Sequence, residues 1–269
     1  MAEFIISGFA DEIDDSLEKQ METLKELGIK YIEMRGVNGK NLCDYKAEET
    51  REIKRVLDEN GFKLSAVGSP IGKIGINDDF EPHFEKFKNA VEIAKIMETK
   101  YIRMFSFFIP KGENPDDYKD KVLGYWKRFT DYAAQENIIL LHENEKDIYG
   151  DSPERCLQVL NTFPSTVCQG IFDPANFVQC GYDTKEAFEE LKDHTVYMHI
   201  KDAVMGSGEV VPSGEGDGNI AYILSELKKA DYKGFLSLEP HLATGDIAVC
   251  GADLFKKAHS ALMDILERV

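Results

Sequence analysis

At 269 residues, with 43% hydrophobic and 30% charged side chains, the chain has the length and composition of an ordinary globular protein rather than a disordered or fibrous one. Its 49 acidic against 32 basic residues leave a formal net charge of −17, and no basic run stands apart to meet a phosphate backbone, so nucleic acid is disfavoured as a partner. No apolar stretch approaches the ~20 residues that span a bilayer, and the start MAEFIISGFADE lacks the basic region and cleavage site of a secretory signal, so a cytoplasmic protein with no membrane partner is expected.

Short runs rich in Ile, Val, Phe and Tyr recur down the chain. They are FIISGF from Phe4, YIEMR from Tyr31, KLSAVG from Lys63, YIRMFSF from Tyr101, IILLHE from Ile138, CQGIFD from Cys168, VYMHIK from Val196 and FLSLEP from Phe235. Between them lie stretches of helical periodicity, such as SLEKQMETLKELG and ETREIKRVLDENG, each ending on a glycine suited to a left-handed helix terminus. Strand alternating with helix demands parallel strands. Eight units of about thirty residues match a (β/α)8 barrel, whereas an open doubly wound sheet stops at about five to seven strands. No Pro-, Gly- or Ser-rich linker divides the sequence, so residues 1–269 are expected to form one (β/α)8 TIM barrel. The longest irregular pieces, residues 70–79, 105–115 and 203–218, all follow strands and belong at the catalytic mouth. The five cysteines are scattered, form no C-x-x-C pair and fit buried reduced thiols.

Polar residues concentrate at four consecutive strand ends: Glu143 after IILLH, Asp173 after GIF, His199 in YMHIKD and Glu239 after LSL. Taken singly, each could be a strand-end group bonded to nearby backbone. Together, three carboxylates crowded at one mouth would repel unless a cation joined them. Hard oxygens plus one imidazole suit a single divalent ion, Mn, Mg, Co or Zn, with coordination positions left open.

LLHEN with Glu143, FDPANF with Asp173, HIKD from His199 and LSLEP with Glu239 resemble the motifs of the xylose-isomerase-like TIM barrels, in particular their sugar-phosphate isomerase/epimerase branch. The resemblance runs the full length, from FADEI to the last helix. It implies one divalent ion on Glu143, Asp173, His199 and Glu239, and a small polyol substrate with a carbonyl beside a hydroxyl. It also implies that Glu143 and Glu239 act as catalytic base and acid on opposite faces of that substrate. The chain departs from the ketohexose 3-epimerases of this superfamily at three places. Asn176 stands where they carry a histidine, Met205 where they carry an arginine, and Tyr149 where they carry a glutamate. Free ketohexoses are therefore expected to be poor substrates.

Other candidates follow from position. Lys201, two past His199, points inward, either to hold a substrate oxygen or to neutralise the carboxylates. Asn176 offers an amide to a substrate hydroxyl or carbonyl. His241 either touches substrate or caps a loop. Arg35 and Arg103, with Glu33, Ser69 and Lys73, could grip an anionic group or pair among themselves. His142 points to the helix layer, Asp202 outward from the barrel axis. His83, His194 and His259 are read as helix-surface residues. In SGEGDGN, Asn219 or Asp217 is expected to cap the following helix. The sequence thus predicts a metal-dependent isomerase or epimerase working by proton transfer through an enediolate on a small sugar-like molecule. A dehydratase-type lyase, a non-catalytic sugar-binding barrel and, more distantly, a metal-dependent phosphoesterase are the alternatives. Helix-layer surfaces leave a homo-oligomer open, with no patch singled out.

Overall fold

A computed structural model describes residues 2–269. Eight strands, β1 (Glu3–Gly8), β2 (Tyr31–Met34), β3 (Lys63–Val67), β4 (Tyr101–Met104), β5 (Ile139–Glu143), β6 (Cys168–Phe172), β7 (Thr195–Ile200) and β8 (Lys233–Leu238), form one parallel sheet. Its order, β1-β8-β7-β6-β5-β4-β3-β2, is the sequential ring of a barrel. β1 and β2 are its two ends and lie side by side, giving a (β/α)8 TIM barrel closed at every step but one by ladder hydrogen bonds.

Helices α1 (Leu17–Glu26), α2 (Ala47–Glu59), α3 (Phe80–Ile96), α4 (Lys119–Gln135), α5 (Pro153–Thr162), the short α6 (Pro174–Gln179), α7 (Thr184–Leu191), α8 (Ile220–Lys229) and α9 (Ile247–Leu266) make the outer layer. Their boundaries have local causes. Gly28 and Gly61 take φ of +71° and +77° just past α1 and α2, where a side chain would be strained. Ser152 and Asp173 accept hydrogen bonds from the amides of Arg155 and Asn176, and a proline follows each at the first helical position. Asp173 is thus both the end of β6 and the cap that starts α6. No helix among the described residues is long and apolar enough to cross a membrane.

Alternation along the strands sorts the side chains. In β5, Leu140 and His142 face the helices, while Leu141 and Glu143 face the barrel axis. The axis is apolar at depth, where Ala66, Leu141, Ile171 and Tyr197 pack against Tyr101, Ile139 and Phe235. Above this floor the Tyr197 hydroxyl, Ser65 and Ser7 form a buried chain of hydrogen bonds at 2.8 and 2.7 Å. Charged groups begin only above it, so the apolar plug fixes the depth of the mouth. Around the barrel, Phe80, Phe84, Phe87 and Phe129 form a contiguous aromatic cluster between α3 and α4. Truncating a buried phenylalanine of that kind costs about 3–5 kcal/mol.

Three expectations need correction. His83 is no surface residue: it is buried, and its Nε2 accepts a 2.7 Å hydrogen bond from the Gly72 amide, tying α3 to the loop after β3. His194 and His259 keep part of their side chains in solvent, as surface positions do. Neither Asn219 nor Asp217 caps α8 with its side chain. Asn219 adopts φ +52° there and donates to Thr184 Oγ1, while Asp217 accepts from the Met205 amide. Residues 203–218 are also less irregular than expected, because Asp202–Ala203 pairs with Val210–Val211 in a small antiparallel hairpin.

Candidate metal centre at the barrel mouth

The C-terminal ends of β5, β6, β7 and β8 bring Glu143, Asp173, His199 and Glu239 together. One ligand atom from each lies within 4.8 Å of all the others, and all four residues are buried. His199 Nδ1 faces the carboxylates, at 3.1 Å from Glu143 Oε1, 3.4 Å from Glu239 Oε2 and 3.8 Å from Asp173 Oδ2. Its Nε2 faces the opposite way, 3.1 and 3.3 Å from the two oxygens of Glu33.

The donor set fits a divalent cation. Glu143 Oε2 and Asp173 Oδ2 are buried without a directed hydrogen bond, an arrangement that is costly unless a cation serves them. Arg103 Nη1 at 3.3 Å and Lys201 Nζ at 2.7 Å approach these oxygens, but as charge contacts outside hydrogen-bonding angles. Three carboxylates and one imidazole can hold Mn, Mg, Co or Zn and still leave positions for a substrate.

The chain surrounds the carboxylates with its own positive charge. Burial would push Glu143 up, but His199 and Arg103 more than offset it and hold its carboxyl at about 2. Burial acts on Glu239 likewise, and Lys201 and His199 hold it well below the ordinary range. Lys201 is buried between Asp173 and Glu239, at 2.7 and 3.2 Å. Burial would lower its ammonium pKa, yet those two carboxylates raise it above its usual value. Arg103 is fully enclosed with its guanidinium about equally far from the rings of Phe9 and Phe105, 4.8 and 5.0 Å, and it also approaches Glu239 at 3.6 Å.

Arg35, just past β2, stands at the rim. It donates to both oxygens of Asp11, and its Nη1 lies 3.2 Å from Glu239 Oε1. His241 reaches the same place by an unexpected route. β8 ends at Leu238 and His241 adopts φ +47°, so strand alternation does not orient it. Its ring nevertheless lies 3.2 Å from Glu12 and 3.5 Å from Glu239, with 42% of the side chain exposed. Glu239 is therefore two-sided: Oε2 faces the cluster and Oε1 faces Arg35 and His241.

Asn176 is buried on the first turn of α6. Its Nδ2 donates to the Asn144 carbonyl at 2.9 Å and to Glu143 Oε1 at 3.4 Å, so this amide braces a cluster carboxylate. Asn144 in turn exchanges hydrogen bonds with the backbone of Asp173, both at 2.9 Å, and locks the ends of β5 and β6 together. Tyr149 is buried and donates to Gln158, and Met205 is exposed on the loop after β7, so neither supplies a polar group to the cluster. Lys73 pairs with Glu145 at 2.9 Å over the Phe105 ring. His142 packs edge-on to Trp126 and bonds Ser106, as its helix-facing position requires. Asp202 accepts hydrogen bonds from the amides of Gly214, Gly216 and Gly218, and a Cβ on either of the last two would lie within 2.6 Å of its Oδ1. The glycine-rich run is a cradle for this carboxylate.

Sequence reasoning placed Glu33 only as a general early-strand charge and did not single out Asn144. The available signal for Glu33 was its alternation with Ile32 and Met34, whose side chains join the core under the helices, so that Glu33 faces the barrel axis.

A (β/α)8 barrel with such a buried cluster at the C-terminal ends of its last four strands has the residues to hold a metal ion. Residues 21–258 match the family described as xylose isomerase-like TIM barrel, and the chain belongs to that family. A search of curated proteins finds no match. Among solved structures it resembles the probable 3-DHS dehydratase AsbF involved in petrobactin synthesis from Bacillus anthracis, at 19% identity and TM-score 0.75, covering 98% of this chain and 99% of that one. It also resembles the IolI protein with a binding zinc atom, at 16% identity and TM-score 0.78 over 98% of each chain. A third likeness is 3-keto-D-glucoside 4-epimerase, YcjR, from E. coli, at 16% identity and TM-score 0.72, covering 99% and 100%. At these identities the likeness concerns the fold.

Proposed function

We propose that the chain is a divalent-metal-dependent isomerase or epimerase that moves a proton on a small sugar-like hydroxy-carbonyl compound. The observation that carries this reading is the buried cluster of Glu143, Asp173, His199 and Glu239, in which two carboxylate oxygens have charge contacts but no directed hydrogen bond. A divalent ion held there would polarise a carbonyl oxygen and acidify the adjacent C–H.

The residues divide the remaining work. Glu143 and Glu239 lie beside Arg103 and Lys201, which favour the carboxylate form able to accept a proton. One takes the proton from the carbon beside the carbonyl, and the other returns a proton to a different face or atom. Glu239 Oε1, at the rim, is the better placed of the four oxygens to meet a substrate entering from solvent. Lys201, Arg35 and His241 make the substrate-holding shell, and Arg103 and Asn176 hold the glutamates beside it. Arg35 and His241 meet it at the rim, Lys201 supports the developing oxyanion, Arg103 fixes both glutamates and Asn176 keeps Glu143 in place.

A lyase is the second reading, because the same carbanion can expel a β-hydroxyl as water, and one structural relative carries a dehydratase name. Both readings are tested together by incubating metal-loaded protein with ketoses, sugar phosphates and inososes in D₂O. Deuterium incorporation at the carbon beside the carbonyl is expected for at least one compound. Product without water loss marks an isomerase, and an unsaturated product marks a lyase. No exchange with any compound, in protein shown to hold an ion, argues against both and favours a binding barrel.

A further inference from the structure

A fully buried carboxylate that is no part of the four-residue cluster lies within hydrogen-bonding distance of it. Glu33 on β2 is 0% exposed, and both its oxygens face His199 Nε2 at 3.1 and 3.3 Å. A buried carboxylate is expensive to keep unless it is bonded, so its place in the barrel axis calls for a specific partner. The register around it is also irregular. Ile32 pairs with Leu64 but Glu33 with Ala66, leaving Ser65 as an extra residue on β3. Bulges of this kind re-aim side chains beside functional sites. The Ser65 hydroxyl joins Ser7 and Tyr197 in the floor beneath the cluster.

We propose that Glu33 is the positioning residue of the metal centre, fixing which nitrogen of His199 meets the ion. An imidazole that binds an ion through one nitrogen is neutral and carries its single N–H on the other. With that proton on Nε2, bonded to Glu33, the Nδ1 lone pair is turned toward Glu143, Asp173 and Glu239. The other tautomer would put the N–H where the ion has to bind and leave the Nε2 lone pair opposed to the oxygens of Glu33. Packing supports the orientation: Phe9 and Tyr197 meet the His199 ring edge-to-face, at 5.2 and 6.0 Å between centroids. Glu33 also leaves a negative charge behind the ring, which makes Nδ1 a stronger donor.

This inference rests on the metal-centre reading above, and the test separates the two. Chelator-stripped wild type, Glu33→Gln, Glu33→Ala and Ser65→Ala are titrated calorimetrically with Mn²⁺, and the visible spectrum of each Co²⁺-loaded protein is recorded. Wild type is expected to take up one ion. Glu33→Ala is expected to bind 10- to 100-fold more weakly with an altered Co²⁺ spectrum. Glu33→Gln, which keeps an acceptor oxygen for Nε2–H but loses the charge behind the ring, is expected to bind about two- to tenfold more weakly, with a Co²⁺ spectrum distinct from that of wild type. Ser65→Ala, which disturbs the same floor without touching His199, should bind as wild type does. If wild type binds no ion, the metal-centre reading itself falls. If wild type binds and both Glu33 variants match it in affinity and spectrum, the role of Glu33 alone is overturned. If Glu33→Ala does not fold, the Glu33→Gln spectrum and affinity decide, an unchanged pair overturning the proposal. Equal weakening in Ser65→Ala assigns the effect to packing and overturns it as well.

Discussion

Arg35 and Asp11 are joined across the seam of the barrel: Arg35 Nε lies 2.7 Å from Asp11 Oδ2, and Nη2 lies 3.2 Å from Oδ1. The two residues follow β2 and β1, the neighbouring strands at the two ends of the ladder. A bidentate ion pair thus does at the rim what strand hydrogen bonds do elsewhere in the ring. Arg35→Met is expected to destabilise the fold by about 1–3 kcal/mol, because Asp11 and Glu12 lose their shared cation in a partly buried place. Urea denaturation measures this, and a loss under about 0.5 kcal/mol would show the clasp to be incidental.

Glu239→Gln separates binding from chemistry. The amide keeps one ligand oxygen and the side-chain shape but loses basicity. Metal uptake is expected to weaken while turnover becomes undetectable. Elemental analysis of the loaded variant beside its D₂O exchange rate gives the comparison, and near-wild-type exchange would reduce Glu239 to a ligand.

Asn176→Ala removes the donor shared by the Asn144 carbonyl and Glu143 Oε1. An unpaired buried acceptor costs about 1–3 kcal/mol, and a freed Glu143 should lower turnover more than it raises KM. Because Asn176 braces Glu143 and Met205 and Tyr149 bring no polar group to the cluster, fructose, psicose and tagatose should exchange slowly even with Asn176→His. Efficient 3-epimerisation of a free ketohexose by the wild type would contradict this.

His83 gives stability a pH dependence of known sign. Burial pushes its pKa from 6.5 down to about 4, so the unfolded chain binds the extra proton in that interval. Its contribution is fully present above about pH 6.5, falls as the pH drops toward 4 and changes no further below, with an upper bound of about 3 kcal/mol. Glu and Asp groups titrate in the lower part of this window, so the readout is a difference. The stability gap between wild type and the non-titrating His83→Gln variant should shrink between about pH 7.5 and 4.5. A constant gap would mean that His83 titrates alike in both states.

The eight strands were legible because parallel strands flanked by helices read as short branched and aromatic runs, and because parallel order sets all their C-terminal ends at one mouth. Glu143, Asp173, His199 and Glu239 were visible for that reason. What escaped depends on contacts between distant strands. Glu33 and His199 are 166 positions apart, and only barrel stagger and the step at Ser65 bring them together. His83 was misread although a signal existed: with Phe80, Phe84 and Phe87 it falls at the i, i+3, i+4, i+7 positions of one helix face, so it shares their buried stripe. The approach of His241 to Glu239 follows from a left-handed residue after Pro240, which alternation cannot foresee.

Lys201 carries a final consequence. Its ammonium sits between Asp173 and Glu239 on a tether of four methylenes, so these carboxylates always have a counter-ion at high local concentration. If the cluster takes up a divalent ion as proposed, loading it is an ion exchange rather than a filling. The affinity read in solution would then be the preference of the carboxylates for a divalent ion over a tethered monovalent one, and uptake would free the ammonium to turn toward an oxygen resting above it.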